Sequence, residues 1–426
     1  MILRKVIKVL ADLKLAIFLL ILICFCCVVG SIIEQDKSFE YYTLNYPKTN
    51  PLFGFFDYQF INFFGLNHLF KTFWFIALLV LFGSSLLSCT FLQQLPSFDF
   101  SRSLNFTKLK NSKQESDISR LIPQSFLPKL LARLQKENYF LFQKGDSFYA
   151  YKGIIGRLGP ILVHFSIILI LLGSIFAALM GFMAQEIIPK SEIFYIQNST
   201  EGSGFHFLPD IPIRVNDFWI DYNIKNNFIS QFYSNLSLLK FNGQELINQT
   251  ISVNNPIETK GIVWYQTDWD IIGLRLKINN LFYEFPLTQL SNTTKKIWIS
   301  WVPISNDFND GIIFIVDNLR GSLLKYKNIG EFDSIVELGQ SISTQTNLKL
   351  MVLDIISSTG LQIKFDPGIF LIYLGFGLLI VSTLLSYASY SKVWIIKDGN
   401  DFRVLSTANR SKLQFEIQFL KIFQNP

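Results

Sequence analysis

Residues 159–181 read GPILVHFSIILILLGSIFAALMG, a run of 23 residues with no charged side chain. At about 1.5 Å per residue, a helix of this length crosses a hydrocarbon core of ~30 Å. Pro160 is placed to open the helix, and Gly159, Gly173 and Gly181 suit close packing against other helices. One polar group with a titratable ring interrupts the run: His164, expected in the first turn. An imidazole inside a membrane needs a partner or a ligand, which makes it a functional candidate.

Three further runs, 15–33, 73–95 and 368–388, also lack Lys, Arg, Asp and Glu, and half of the 426 residues are hydrophobic. The expected fold is an α-helical membrane protein with about four transmembrane helices plus a large β-rich extracytoplasmic domain. Its parts are two helices with a short aromatic outer loop (1–95), a basic inner loop (96–160) and a third helix carrying His164 (161–183). The β-rich domain (184–367), a fourth helix (368–388) and a tail (389–426) follow. The first run is too long for a cleavable signal peptide, and no small-x-small site precedes Glu34.

Lysine and arginine set the orientation. The segment before the first run has four basic residues and one acidic, and 34–72 has three and four. Loop 96–160 has eleven basic and five acidic, whereas 184–367 has 14 basic and 19 acidic, a net charge of 14 − 19 = −5. The tail has six basic and three acidic. Both termini and 96–160 are therefore expected inside, with 34–72 and 184–367 outside. The overall +6 reflects this orientation and is no sign of nucleic-acid binding.

Residues 1–14 form a basic amphipathic lead-in, and the aromatics of 34–72 suit the membrane interface. Within 96–160 the pattern predicts a helix over 125–138 and a hairpin over 139–152, a basic unit suited to anionic lipid or a partner. In the outer domain strands are expected at 218–222, 236–241, 262–266, 274–278, 281–285, 312–316 and 348–355. Turns at Asn242-Gly243 and Asn309-Asp310-Gly311 separate them, giving a β sandwich or half-barrel. The tail should hold a hairpin near 393–405 and an amphipathic helical end.

No catalytic constellation is legible. There are three histidines, His68, His164 and His206, and no phosphate loop, G-x-S-x-G or H-E-x-x-H. For His164 two readings stand: an imidazole satisfied by a backbone carbonyl or Ser166, or a cofactor ligand or proton carrier. Haem is the cofactor that suits a lone imidazole in apolar surroundings, with a second ligand from a partner. His68 is a weaker candidate of the same kind. Cys24, Cys26, Cys27 and Cys89 all fall inside apolar runs, so buried, inert thiols are expected although 24–27 contain C-x-x-C. Trp264, Tyr265 and Trp269 could form a binding face, but strand alternation covering a sheet explains them as well.

Several motifs in order resemble the ResB (CcsB) family of cytochrome c biogenesis proteins, in the form encoded by algal plastids. They are 12–23 (DLKLAIFLLILI) with 30–34 (GSIIE); 156–166 (GRLGPILVHFS); 231–236 (QFYSNL); 253–256 (VNNP) with Tyr265 and Gln266; Asp366-Pro367-Gly368; and Asn409-Arg410 before Phe415-Glu416. The resemblance implies a subunit of the system II haem-attachment machinery, paired with a CcsA/ResC-type membrane protein. That complex presents haem to apocytochromes c, in plastids cytochrome f and soluble lumenal cytochromes, at the thylakoid membrane, with a cyanobacterial membrane as the alternative. The family's membrane histidine matches His164. A membrane thiol-redox carrier, or a scaffold holding apocytochrome without binding haem, is the competing expectation.

Overall fold

The computed structural model describes residues 2–102, 118–196, 201–202, 211–223, 228–290, 296–305, 308, 310–328, 330–343 and 348–423. His206 and Asn309 lie outside the described residues. The chain forms two compact units. The first comprises residues 1–178 and 368–426, the second 179–367.

Among the described residues four helices are long and apolar enough to cross a membrane: Leu13–Ile32, Phe73–Ser101, Ile155–Met180 and Ile369–Ser386. Asp12 caps the first of them by accepting from the Lys14 amide at 3.1 Å. The lead-in helix Ile2–Leu10 ends against the second span, where Ser85 Oγ donates to the Leu10 carbonyl and Gln93 Nε2 to that of Ala11. The second span does not stop at residue 95. After Phe73–Cys89 it makes a π-helical turn, Thr90–Gln94, and runs on through Leu95–Arg102.

The third helix starts at Ile155, so Pro160 lies inside it rather than at its mouth. His164 is accordingly the tenth helical residue and not a first-turn residue. The reason is packing at the expected loop end. A Cβ on Gly159 would meet Ser386 Cα at 2.6 Å, so only glycine admits the fourth helix there. Further along, Gly173 faces Ile372 and Gly375 faces Ile170, so small residues set the whole approach of the third and fourth helices.

The aromatic segment 34–72 folds into two short helices, Phe39–Asn45 and Tyr58–Phe64, capped by Ser38 and Asp57. Ile33, Tyr42, Tyr46, Ile61, Leu66 and Leu69 share a core with Phe75 and Leu79 of the second span. Gln35 ties the segment down, donating to the carbonyls of Gly30, Ile33 and Leu66 and accepting from the Leu69 amide. Phe53, Phe55 and Phe63 stay exposed, so only part of the aromatic content is available to an interface.

The helix and hairpin expected in 96–160 form as Leu127–Lys136, Phe140–Lys144 and Ser147–Lys152. They do not stand alone. The tail strands Ser391–Asp398 and Asp401–Ala408 pair with them and with Ile118–Pro123 in one antiparallel five-stranded sheet. Helices Leu127–Lys136 and Lys412–Phe423 cover it with Leu130, Leu134, Phe415 and Phe419 over Ala150, Val393, Ile395 and Val404. The basic loop and the tail are thus halves of one domain on the same side of the spans.

The second unit is all β among its described residues. Its spine is a pair of 17-residue strands, Ile262–Ile278 and Lys349–Phe365, antiparallel along their length. The separate strands expected at 262–266 and 274–278 are therefore one strand. Bulges between Gln266 and Asp268 and between Ile271 and Gly273 shift the inward parity from 262 and 264, to 269 and 271, and back to 274 and 276. A strict two-residue period is lost at each bulge, which is why the sequence reads as two strands.

The spine serves two cores. Trp264, Leu361 and Ile363 pack with Val215, Leu236 and Leu238 of a four-stranded sheet. Trp269, Leu274 and Val352 pack with Trp298, Phe314 and Val336 of a five-stranded meander. This is sandwich packing, twice over. Trp264 and Trp269 are buried in different cores, so they form no common binding face.

Candidate functional site at the His164 cleft

The motif at 156–166 is built to hold His164 in place. Gly156 fits closely against Ala388, and Gly159 against Ser386. Arg157 stacks over the Tyr390 ring at 5.2 Å and donates to Ser97 Oγ at 3.3 Å, tying the third helix to the end of the second. Ser166 is fully buried and donates to the Val163 carbonyl at 2.8 Å, so it is not the partner of the imidazole.

That partner is Thr90, at the start of the π-helical turn, with Oγ1 2.9 Å from His164 Nδ1. The same hydroxyl donates to the Leu86 carbonyl at 2.7 Å. A hydroxyl has one hydrogen, so for both contacts to be hydrogen bonds Nδ1 must carry the proton and donate to Thr90. A neutral imidazole held in this way is the Nδ1–H tautomer, whose Nε2 carries a lone pair, and none of the described residues gives Nε2 a hydrogen bond. This is how a metal-binding histidine is prepared: one nitrogen held by a hydrogen bond, the other with its lone pair free. Single-turn π segments recur at functional sites because they re-aim a side chain without ending the helix.

His164 lines an open cleft of about 590 Å³ together with Pro160, Val163, Thr383, Ser386, Tyr387, Arg410 and Ser411. A volume of this order lies within the range of small-molecule sites, roughly 300–1,000 Å³. Apolar atoms from the helices form one part and the Arg410 guanidinium the other. The residues present thus suit an apolar, metal-containing ligand with polar substituents at one edge, which is the chemistry of haem.

His68 is placed differently. It sits exposed in the short helical segment Leu66–Lys71, beside Gly65, whose φ of +68° ends helix Tyr58–Phe64. It lines no part of the His164 cleft. The four cysteines are free: Cys26 and Cys89 are buried, Cys27 is half-buried and Cys24 is exposed. Among the described residues no three His, Cys, Asp or Glu side chains gather as a metal site.

The motifs of the β unit have a structural explanation. Ser234, from 231–236, donates to Gln266 Oε1, and Thr359 Oγ1 reaches the same oxygen at 2.7 Å. Gln266 Nε2 donates to the Asp268 carbonyl at 2.8 Å, across the first bulge. Two motifs far apart in sequence therefore meet in one buried, satisfied polar cluster. In 253–256, Asn254 takes a φ of +66° in the tight turn closed by Ser252 and Asn255.

The chain is 46% identical over 422 residues to the cytochrome c biogenesis protein Ccs1 of Thalassiosira pseudonana, covering 99% of this chain and 100% of that one. It is 45% identical over 430 residues to Ccs1 of Heterosigma akashiwo (strain CCMP452 / OLISTH), covering 99% of each. It is 39% identical over 422 residues to the cytochrome c biogenesis protein CcsB of Microcystis aeruginosa, covering 98% and 94%. The sequence profile of the ResB-like family matches residues 13–327, and the chain belongs to that family.

Proposed function

We propose that this protein handles haem in the biogenesis of c-type cytochromes, as a subunit of a membrane complex that delivers haem for attachment to apocytochromes. The observation that carries the reading is the His164–Thr90 pair, which leaves Nε2 without a partner among the described residues on a ring that lines a cleft of suitable size. His164 would offer Nε2 to the haem iron. Thr90 would hold the ring in the tautomer that can do so, and the apolar walls would exclude water. A CcsA/ResC-type protein would supply the second axial ligand and most of the remaining enclosure, since the cleft is open on one side. The β unit would face the apocytochromes, and the sheet domain of the other unit, which carries the basic loop, would rest against anionic lipid.

The thylakoid membrane, with both termini on the stromal side, is the location this reading favours. It is supported by the charge alternation and by relatives in a diatom and a cyanobacterium. Haem is cargo here, and the chain is an assembly factor rather than a catalyst on its own.

The test is the visible spectrum of the detergent-purified complex, wild type beside His164→Ala. The expected outcome is a Soret band that is lost or shifted in the variant while the complex stays assembled. An unchanged band at normal haem content would remove the ligand role.

A further inference from the structure

We propose that Arg410 is the anion-binding element of the His164 cleft, taking a carboxylate of the iron porphyrin whose metal His164 would hold; this rests on the haem reading above. Arg410 follows the second tail strand and lines the same cleft as His164. Its backbone is anchored, with Ser389 Oγ donating to the Arg410 carbonyl at 3.0 Å and the Asn409 amide to that of Tyr390 at 2.9 Å. One guanidinium nitrogen donates to the Ser386 carbonyl in the last turn of the fourth helix, and the group lies 5.9 Å from the Tyr387 ring centroid.

That leaves most of its five N–H donors unused, in a planar fork that matches a carboxylate. No carboxylate among the described residues forms an ion pair with Arg410. Arg157 lies close enough to feel its charge, has no such pair either, and keeps a buried Nε without a partner. Two guanidinium groups in one neighbourhood without an anion make a positive potential that a ligand carboxylate would relieve. The cleft is thus apolar along the helices and cationic at Arg410. A flat apolar metal chelate with acidic groups along one edge has the same polarity.

The experiment titrates the purified full-length chain in neutral detergent with haemin and with haemin dimethyl ester, following the Soret band. Wild type should prefer the free acid by about tenfold or more, as expected for one charge-assisted hydrogen-bonded pair. Arg410→Gln should erase the preference, and Arg410→Lys should restore part of it. His164→Ala should weaken both ligands alike. Equal loss of both ligands in Arg410→Gln, or no change, would overturn the assignment while leaving the haem reading intact. If adding phosphatidylglycerol abolishes the preference in wild type, Arg410 serves a lipid headgroup instead and the proposal falls. If neither ligand responds to His164→Ala, the haem reading fails and this inference with it.

Discussion

The cluster of Ser234, Gln266 and Thr359 in the β unit and the His164–Thr90 pair among the membrane helices are both polar centres in apolar surroundings. They differ in what is left over. In the first, the glutamine oxygen, its amide nitrogen and both hydroxyls all have protein partners, and Ser234 and Thr359 are fully buried. Such a network is closed, and its use is to fix the register of the strands around a bulge. In the second, one ring nitrogen is committed, the other has no partner among the described residues, and the group borders a cleft. Half-buried at an open cleft, that ring keeps one nitrogen that a group from outside the chain can reach. What separates a closed polar centre from a candidate site is whether an atom is left over for a ligand.

The contrast predicts opposite responses to substitution. Gln266→Leu should destabilise the β unit by about 2–3 kcal/mol, because two buried hydroxyls and the Asp268 carbonyl lose their partner. Chemical denaturation should register that loss, while haem binding per folded molecule stays unchanged. Haem loss in a folded Gln266→Leu protein would break the distinction drawn here.

Thr90→Val removes the hydrogen bond that holds the imidazole. Haem affinity should fall about tenfold, the usual scale for losing an outer partner of a metal-binding histidine, with Thr90→Ser close to wild type. Thermal stability should move far less than in Gln266→Leu. A Thr90→Val protein with unaltered affinity would show that the ring is held by packing alone.

The smallest effect concerns a surface centre. Tyr46 Oη donates to Glu34 Oε2 at 2.6 Å, and that bond is the main reason the Glu34 carboxyl titrates below its ordinary range. A carboxylate with a depressed folded pKa adds stability above its unfolded pKa, and loses that contribution as pH falls through the folded value. Tyr46→Phe should therefore move the Glu34 titration upward, toward the unfolded value. Its slight stability loss should be visible at neutral pH and vanish in acid. An NMR titration of the Glu34 carboxyl checks the direction, and an unshifted or lowered value would contradict the assignment.

Much of the architecture is legible in local sequence. Each of the four spans declares itself by an uninterrupted charge-free run, because a bilayer tests every residue it surrounds. The strands expected at 312–316 and 281–285 form within Gly311–Val316 and Leu281–Pro286, because runs of β-branched and aromatic residues favour extended backbone. His164 stands out for the same local reason, as the one ionisable side chain in the run 159–181.

What the local sequence does not contain is the identity of partners. Thr90 lies 74 positions before His164 and reaches it only because a π-helical turn presents it there. Arg410 enters the same cleft from a tail segment whose own pattern reads as an ordinary solvated turn. The basic loop and the tail each read as a separate hairpin, yet they complete one sheet across the intervening 179–367 unit and the fourth span. In the β unit, bulges break the periodicity on which strand reading depends. Solvent sorts residues one at a time and leaves its record in composition and period. A hydrogen bond or a cleft exists only once segments distant along the chain have packed, so it was decided in the tertiary structure.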